Sequence, residues 1–386
     1  MKIGIDGRSL KTSRAIFRYT KNILNNLSLI DKDNEYFLFV EGGEELANLN
    51  YLNLSLNWRL VKAPTKIVFR DHFFFYDFLK RFSLDLFFHP DNTEFLNCLP
   101  RSVVTIHDLI PYRFPELSLS ANPLKRLRQN LYLNLQKRAL NNSSRFVITV
   151  SENSKNDIIG FLGISSDKIA VIPEAVEPNF RPSSQNEILE VKNKYRIEGE
   201  YLFCHSSFSA YKNLIRLIDA FALIARDFPN LQMVFGGHVS DSDWQGKNYY
   251  RRLVSKITSF GLSNKVIFTD FVPEEILPAL YSGAKIFVYP SLYEGFGIPI
   301  LEAQACDLPV VTSRTSSLPE VSGDSALLAD PLDMADIAEK ISSFLRNENL
   351  RLNYVGRGRE NVKRFSWQKS ARETIEVFRK VYEAKV

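Results

Sequence analysis

YPSLYEGFGIPILEAQACDLPVV, residues 289–311, joins an apolar strand to an apolar helix through a turn crowded with Glu294, Gly295, Phe296 and Gly297. KIFVYP has the length and the β-branched and aromatic content of a buried strand, and Ile298 to Ala305 reads as a short apolar helix. The start of a helix directs backbone N–H groups at an anion, and glycines let a ligand approach the main chain closely. A diphosphate suits that place. Glu294 lies in the loop, whereas Glu302 lies about one and a half turns into the helix. Facing carboxyl groups of the glycosidase kind stand roughly 5–9.5 Å apart across a sugar, and this spacing suits gripping two parts of one extended ligand better. Carboxylates accept hydrogen bonds from hydroxyls, so a diphosphate between two hydroxyl-rich rings, a nucleotide sugar, fits the stretch.

Outward from it, strand-length apolar runs alternate with helix-period segments. MKIGID, EYFLFV, DLFFH, SVVTIH, RFVITV and KIAVIPE form a first series, and YLFCH, LQMVFGG, KVIFTD, KIFVYP and LPVVTS a second. Such alternation predicts parallel sheets covered on both faces, hence an α/β protein of two doubly wound domains. The polar stretch 177–195 separates the two series. Beyond Pro331 three helices are expected, the last from about Ser366 to Ala384, capped by Ser366 and carrying Trp367, Ile375, Phe378 and Tyr382 on one face. Ligands of open parallel sheets bind beyond the carboxyl ends of the strands, which points to a cleft between two facing sheets.

Composition agrees with a folded two-domain chain: 386 residues, 45% hydrophobic and 24% charged. No apolar run reaches the ~18 residues of a membrane span, and the N-terminus lacks a signal-peptide core, so a cytoplasmic location is expected. Cys98, Cys204 and Cys306 read as small buried groups and not as a disulfide or metal framework. Residues 117–151 hold Lys125, Arg126, Arg128, Lys137, Arg138 and Arg145 without an acid, and Leu124, Leu127, Leu131 and Leu135 recur there at helical spacing. The segment 122–145 therefore reads either as a solvated helix face or as a peripheral contact with an anionic membrane surface. Nucleic-acid binding is not expected, because no aromatic platform motif accompanies the charge. No strand is followed by G-x-G-x-x-G, which disfavours a Rossmann dehydrogenase.

The stretch YPSLYEGFGIPILEAQACDLPVVTSRTSSLPEVSGDSALLADPLD resembles the donor-site signature of glycosyltransferase family 4, also called glycosyltransferase group 1. The likeness continues in family order through MKIGIDGRSL, TIHDLIPYRFPE, TVSENSKNDI, IAVIPEAVEPNFRP, YKNLIRLIDAF and IFTDFVPEEILPALYSGA, over nearly the whole chain. It implies the GT-B fold: an acceptor-side domain, residues 1–180, rejoined by the C-terminal helix 366–386, and a donor-binding domain, residues 181–365, facing it across a cleft.

It also implies roles. Lys212 neutralises the diphosphate; Glu294 with Gly295, Phe296 and Gly297 holds the transferred sugar; and Glu302 binds the ribose hydroxyls. Phe271 and Val272 present backbone groups to the base, and His107, with Asp108 beside it, contacts the sugar near the scissile bond. His89 in FFHPDN ends another strand and is a candidate for facing the acceptor. Hexosyl transfer with retention of configuration and without a metal cofactor follows, with UDP-glucose as the first choice of donor, GDP-mannose next, and a saccharide or lipid-linked acceptor. A catalytically inactive nucleotide-sugar-binding partner subunit is the alternative, and an epimerase or hydrolase on the same architecture a third. Two stretches depart from the family pattern. SRAIFRYTKN has Ala15 and Phe17 where glycines are usual, and CHSSFSAYKN has Ser206 at a glycine position and Ser207 or Tyr211 at a basic one.

Overall fold

A computed structural model describes residues 1–11, 14–42, 49–64, 71–91, 101–115, 127, 131, 134, 137, 138, 145–238 and 244–384. The chain divides into two compact units, Met1–Glu174 with Ser366–Val386, and Ala175–Phe365. The division falls a few residues before the sequence-based boundary at 180.

The first unit is built on β1 (Lys2–Asp6), β2 (Glu35–Glu41), β3 (Trp58–Ala63), β4 (Leu86–His89), β5 (Ser102–Ile106), β6 (Arg145–Thr149) and β7 (Ile169–Val171), in sheet order β3-β2-β1-β4-β5-β6-β7. The second holds β8 (Glu200–His205), β9 (Leu231–Gly236), β10 (Val266–Phe268), β11 (Ile286–Tyr289), β12 (Val310–Ser313) and β13 (Ala326–Ala329), in order β10-β9-β8-β11-β12-β13. The pairings are parallel. Each sheet thus runs outward from its first strand and then reverses, giving one switch point between β1 and β4 and another between β8 and β11.

Central strands such as β11 are buried along their whole length, which is why they read as continuous apolar runs. β3 and β13 were not read from the sequence. Both are edge strands; WRLVKA exposes most of its middle, and ALLA is four residues long with two half-buried.

In the first unit Phe37, Phe39, Phe75, Leu79 and Phe87 share one core cluster, so the aromatic run at 73–82 supplies a core helix, Asp71–Leu79. The second unit has its own core, including Leu202, Leu217, Phe221, Met233, Val288 and Ile341. Three helices follow Pro331, and the last, Trp367–Glu383, belongs to the first unit. Its Ser370 hydroxyl donates to the Pro173 carbonyl (2.6 Å), and Phe378 meets Phe88 with ring centroids 5.2 Å apart. Two details of that helix correct the sequence reading. Ser366 makes no side-chain capping bond, and Tyr382 is exposed, its place on the buried face being taken by Val377 and Val381.

Cys204 and Cys306 are buried and unbridged, and Cys98 lies outside the described residues. Lys125, Arg126 and Arg128 lie outside them too, while Lys137 and Arg138 are exposed. Among the described residues no helix is long and apolar enough to cross a membrane.

Candidate active site

At the switch point of the second sheet, β8 is followed by the short turn Ala210–Lys212, and β11 by the glycine loop that opened the sequence reading. Asn213 sits in the left-handed region at φ 62°, which an asparagine tolerates better than most side chains. Its amide donates to the Pro290 (3.1 Å) and Pro331 (2.6 Å) carbonyls, and Leu292 N donates to Tyr211 O at 2.7 Å. These bonds stitch the two loops together.

The result is a buried cluster. Lys212 Nζ donates to both Glu294 oxygens, at 2.7 and 2.9 Å, and to the Tyr289 hydroxyl at 3.0 Å, which uses all three ammonium hydrogens. Burial works against the lysine charge, but the Glu294 carboxylate outweighs it and holds the pKa of Lys212 well above its ordinary value. Burial and the same carboxylate push the Tyr289 phenol well up, so Tyr289 stays neutral. Sequence reasoning gave Lys212 and Glu294 different parts of one ligand; here each is the other's partner.

The glycine loop is anchored from the far side. Ser316 Oγ donates to Glu294 O (2.7 Å) while accepting from Glu294 N (3.1 Å), and Ser317 Oγ reaches the carbonyls of Glu294 (3.0 Å) and Phe296 (2.7 Å). Phe296 is buried against Phe365, so what it offers a ligand is its backbone. Gly297 precedes the Ile298–Ala305 helix at φ 112°, and a Cβ there would stand 2.9 Å from Leu318 Cδ2. No side chain caps that helix start. Glu302, on the same helix, is buried and accepts from the Tyr281 hydroxyl at 2.7 Å. The two glutamates therefore have different side-chain partners. At the end of β10, Asp270 adopts φ 52°, Phe271 is half exposed and Val272 is buried. Ser206 is half-buried and Ser207 exposed, so no second cation joins Lys212 from those positions.

In the first unit His107 follows β5. Its Nδ1 lies 3.1 Å from Glu174 Oε1, its Nε2 lies 3.0 Å from the Pro90 carbonyl, and Tyr19 meets its ring edge-on at 4.5 Å. Asp108 accepts from Ile110 N at 3.0 Å and so shapes the turn after the strand. At the switch point, Asp6 accepts from the backbone N (3.1 Å), Nε (2.9 Å) and Nη2 (2.9 Å) of Arg8, with His89 Nδ1 3.6 Å away. His89 is buried against Phe87. Phe17, in the first helix, packs edge-on against Tyr51 at 5.0 Å; the side chain of Ala15 lies outside the described residues.

Tyr289, Tyr281, Ser316, Ser317 and Glu174 were not singled out from sequence. Each lies inside a stretch read as a motif, and its partner is a long way off along the chain, so only the fold identifies it.

A family model described as Glycosyl transferases group 1 matches residues 186–361, and one described as Glycosyltransferase Family 4 matches residues 26–180. The O-antigen chain mannosyltransferase B of Escherichia coli is 33% identical over 300 residues, covering 76% of this chain and 74% of that protein. A serotype-specific mannosyltransferase WbdA of E. coli is 28% identical over 74% of this chain, which spans only 34% of that longer protein. Among solved structures, sucrose-phosphate synthase from Thermosynechococcus elongatus superposes with a TM-score of 0.76 over 100% of both chains at 19% identity. That likeness establishes the fold, two doubly wound domains of the GT-B kind. By its matched domains and its relatives, this chain is a member of glycosyltransferase family 4, the group 1 glycosyltransferases of glycan biosynthesis.

Proposed function

We propose that this chain is a retaining mannosyltransferase that moves mannose from GDP-mannose to a saccharide or lipid-linked acceptor during polysaccharide assembly, without a metal cofactor. The observation that carries the reading is the Lys212–Glu294–Tyr289 cluster, a buried cation and carboxylate at the switch point of the second sheet, beside a glycine loop and a helix start. The names of the relatives favour mannose over the glucose that the sequence first suggested, and with it GDP-mannose over UDP-glucose.

Lys212 and the helix start after Gly297 take the diphosphate, and Glu294 with the backbone of Gly295, Phe296 and Gly297 takes the sugar. Glu302 takes the ribose hydroxyls, Phe271 and Val272 the base, and His107 with Asp108 is assigned to the sugar. The bond from the anomeric carbon to the phosphate oxygen breaks with its electron pair going to the diphosphate, and the acceptor oxygen bonds to that carbon. The acceptor's proton leaves with the diphosphate. Negative charge growing on the leaving group is met by groups already in place, which is how fixed donors accelerate such steps.

The test is nucleotide release from a panel of GDP-, UDP- and ADP-sugars, with no metal added, by the wild type and by Lys212→Ala and Glu294→Ala. Release from GDP-mannose, lost in both variants, is the expected outcome. Release from UDP-glucose alone would return the donor to glucose, and binding without release, even with saccharide and lipid-linked acceptors present, would favour an inactive partner subunit. The membrane contact through 122–145 is proposed on the charge run alone. It predicts co-sedimentation with anionic vesicles that weakens when Lys125, Arg126, Arg128, Lys137 and Arg138 become glutamates.

A further inference from the structure

Both ring nitrogens of His107 face acceptors: Nδ1 the Glu174 carboxylate at 3.1 Å, and Nε2 the Pro90 carbonyl at 3.0 Å. A neutral imidazole has one N–H and one lone pair, so either tautomer would turn a lone pair onto an acceptor oxygen. A doubly protonated ring donates to both. The surroundings favour that state. Glu174, after β7, is buried; Asp91, after β4, adds a second negative charge; and Tyr19, whose hydroxyl lies 3.2 Å from Thr105 Oγ1, is kept neutral by its burial. Burial works against the charge on His107, and the hydrogen bond and charge of Glu174 outweigh it, so the pKa of the ring is raised.

We propose that Glu174 is a positioning residue that holds His107 as an imidazolium, so that His107 enters sugar transfer as a fixed positive charge and not as the base that takes the acceptor's proton. The proposal rests on the reading of His107 as a transfer-site residue. It deepens that reading by fixing the charge, and therefore the role, of the side chain. An imidazolium with both hydrogens committed cannot accept a proton. The acceptor's proton then does not go to His107, which is consistent with its transfer to the leaving diphosphate in the proposed reaction.

The first measurement needs no variant: imidazole ¹⁵N and ¹³C shifts of the full chain, with His107 assigned by comparison with His107→Gln. At about pH 7.5, where a histidine of ordinary pKa near 6.5 is mostly neutral, His107 is expected to be doubly protonated. Glu174→Gln keeps the side-chain shape and removes the charge. It should leave the melting temperature nearly unchanged, make His107 neutral at that pH, and lower nucleotide release at least tenfold, with release recovering several-fold as the pH falls below about 6 and the ring is protonated again. A neutral His107 in the wild type, or a protonation state that Glu174→Gln does not move, overturns the proposal. If protonation follows the expectation but His107→Gln and Glu174→Gln both release nucleotide like the wild type, it is the placing of His107 in the transfer site that falls, and the proposed role falls with it.

Discussion

The two sheets share one strand order, and each buries an ion pair at its switch point, yet the pairs are built for different work. In the first unit Arg8 and Asp6 are two residues apart, so the end of β1 itself sets their geometry. The guanidinium lays Nε and Nη2 on one carboxylate and stacks 3.7 Å above the Phe75 ring, with Arg8 only 2% exposed. A planar fork held at its edge by a carboxylate and on one face by a ring has little freedom to turn toward a ligand. In the second unit Lys212 and Glu294 come from two loops and meet only because β8 and β11 are neighbours. An ammonium is a point charge with rotatable donors, so it can exchange a carboxylate for a phosphate without rebuilding its surroundings. On the proposed reading, the first pair fastens the fold and the second is one that a ligand opens.

Breaking the first pair gives the largest expected effect. Asp6→Ala takes the carboxylate away from a buried guanidinium, and losing one partner of a buried pair costs about 3–5 kcal/mol. For a domain of this size that lowers the melting temperature by about 10 °C or more, which calorimetry would read directly. A shift of only a degree or two would mean that Arg8 finds another partner and that the pair is not a fastening.

Removing both charges of the second pair gives the converse. The double variant Lys212→Met with Glu294→Gln leaves no stranded charge, and such replacements of buried pairs are often neutral for stability. Its melting temperature should stay within a few degrees of the wild type, while kcat falls about 10²–10³-fold, the usual cost of losing a group aimed at developing negative charge. A double variant that unfolds would erase the contrast between the two switch points.

Glu294→Gln alone tests whether the pair opens. In the free protein Glu294 occupies two of the three Lys212 hydrogens, so a diphosphate must displace it. Without that competitor a nucleoside diphosphate lacking sugar should bind about tenfold more tightly, about 1.4 kcal/mol, by titration calorimetry, while turnover of the intact donor falls. Weaker binding would mean that Glu294 organises Lys212 for phosphate and does not compete with it.

The same contrast accounts for what the sequence could convey. β11 and its glycine loop are legible because an apolar run, a glycine at positive φ and a helix start are all local properties. β3 is not, because Arg59 and Lys62 break its apolar run and most of its middle is exposed, and β13 is not, because ALLA is only four residues long. Lys212, Glu294 and Glu302 stand out as residue types within motifs. Their partners do not: Tyr289 is 77 positions from Lys212 and Glu174 is 67 from His107, separations that only strand order closes. His89, a candidate for facing the acceptor because it ends a strand, is buried beside Asp6, a neighbour that the sequence does not indicate.

The smallest expected effect is a difference in how the two units respond to alkali. Asp6 has its carboxyl held well below the ordinary range: burial opposes this, and Arg8 and His89 outweigh it. A depressed carboxyl contributes stability that is complete above about pH 4 and is lost only as the pH falls through the folded value, so it plays no part on the alkaline side. His107 is raised, so its contribution is complete below about pH 6.5 and disappears as the pH climbs through the folded value. Lys212 is raised well above its ordinary value, so its pair keeps its full contribution until the pH passes about 10. As the pH climbs past about 6.5 and through the folded value of His107, the first unit should therefore loosen around β5 while the second holds. Amide exchange, expressed as protection relative to the intrinsic rate at each pH, would show peptides over residues 102–107 losing protection and peptides over residues 286–294 keeping theirs. Equal loss in both would place the alkaline sensitivity in groups common to the two units and remove His107 as its cause.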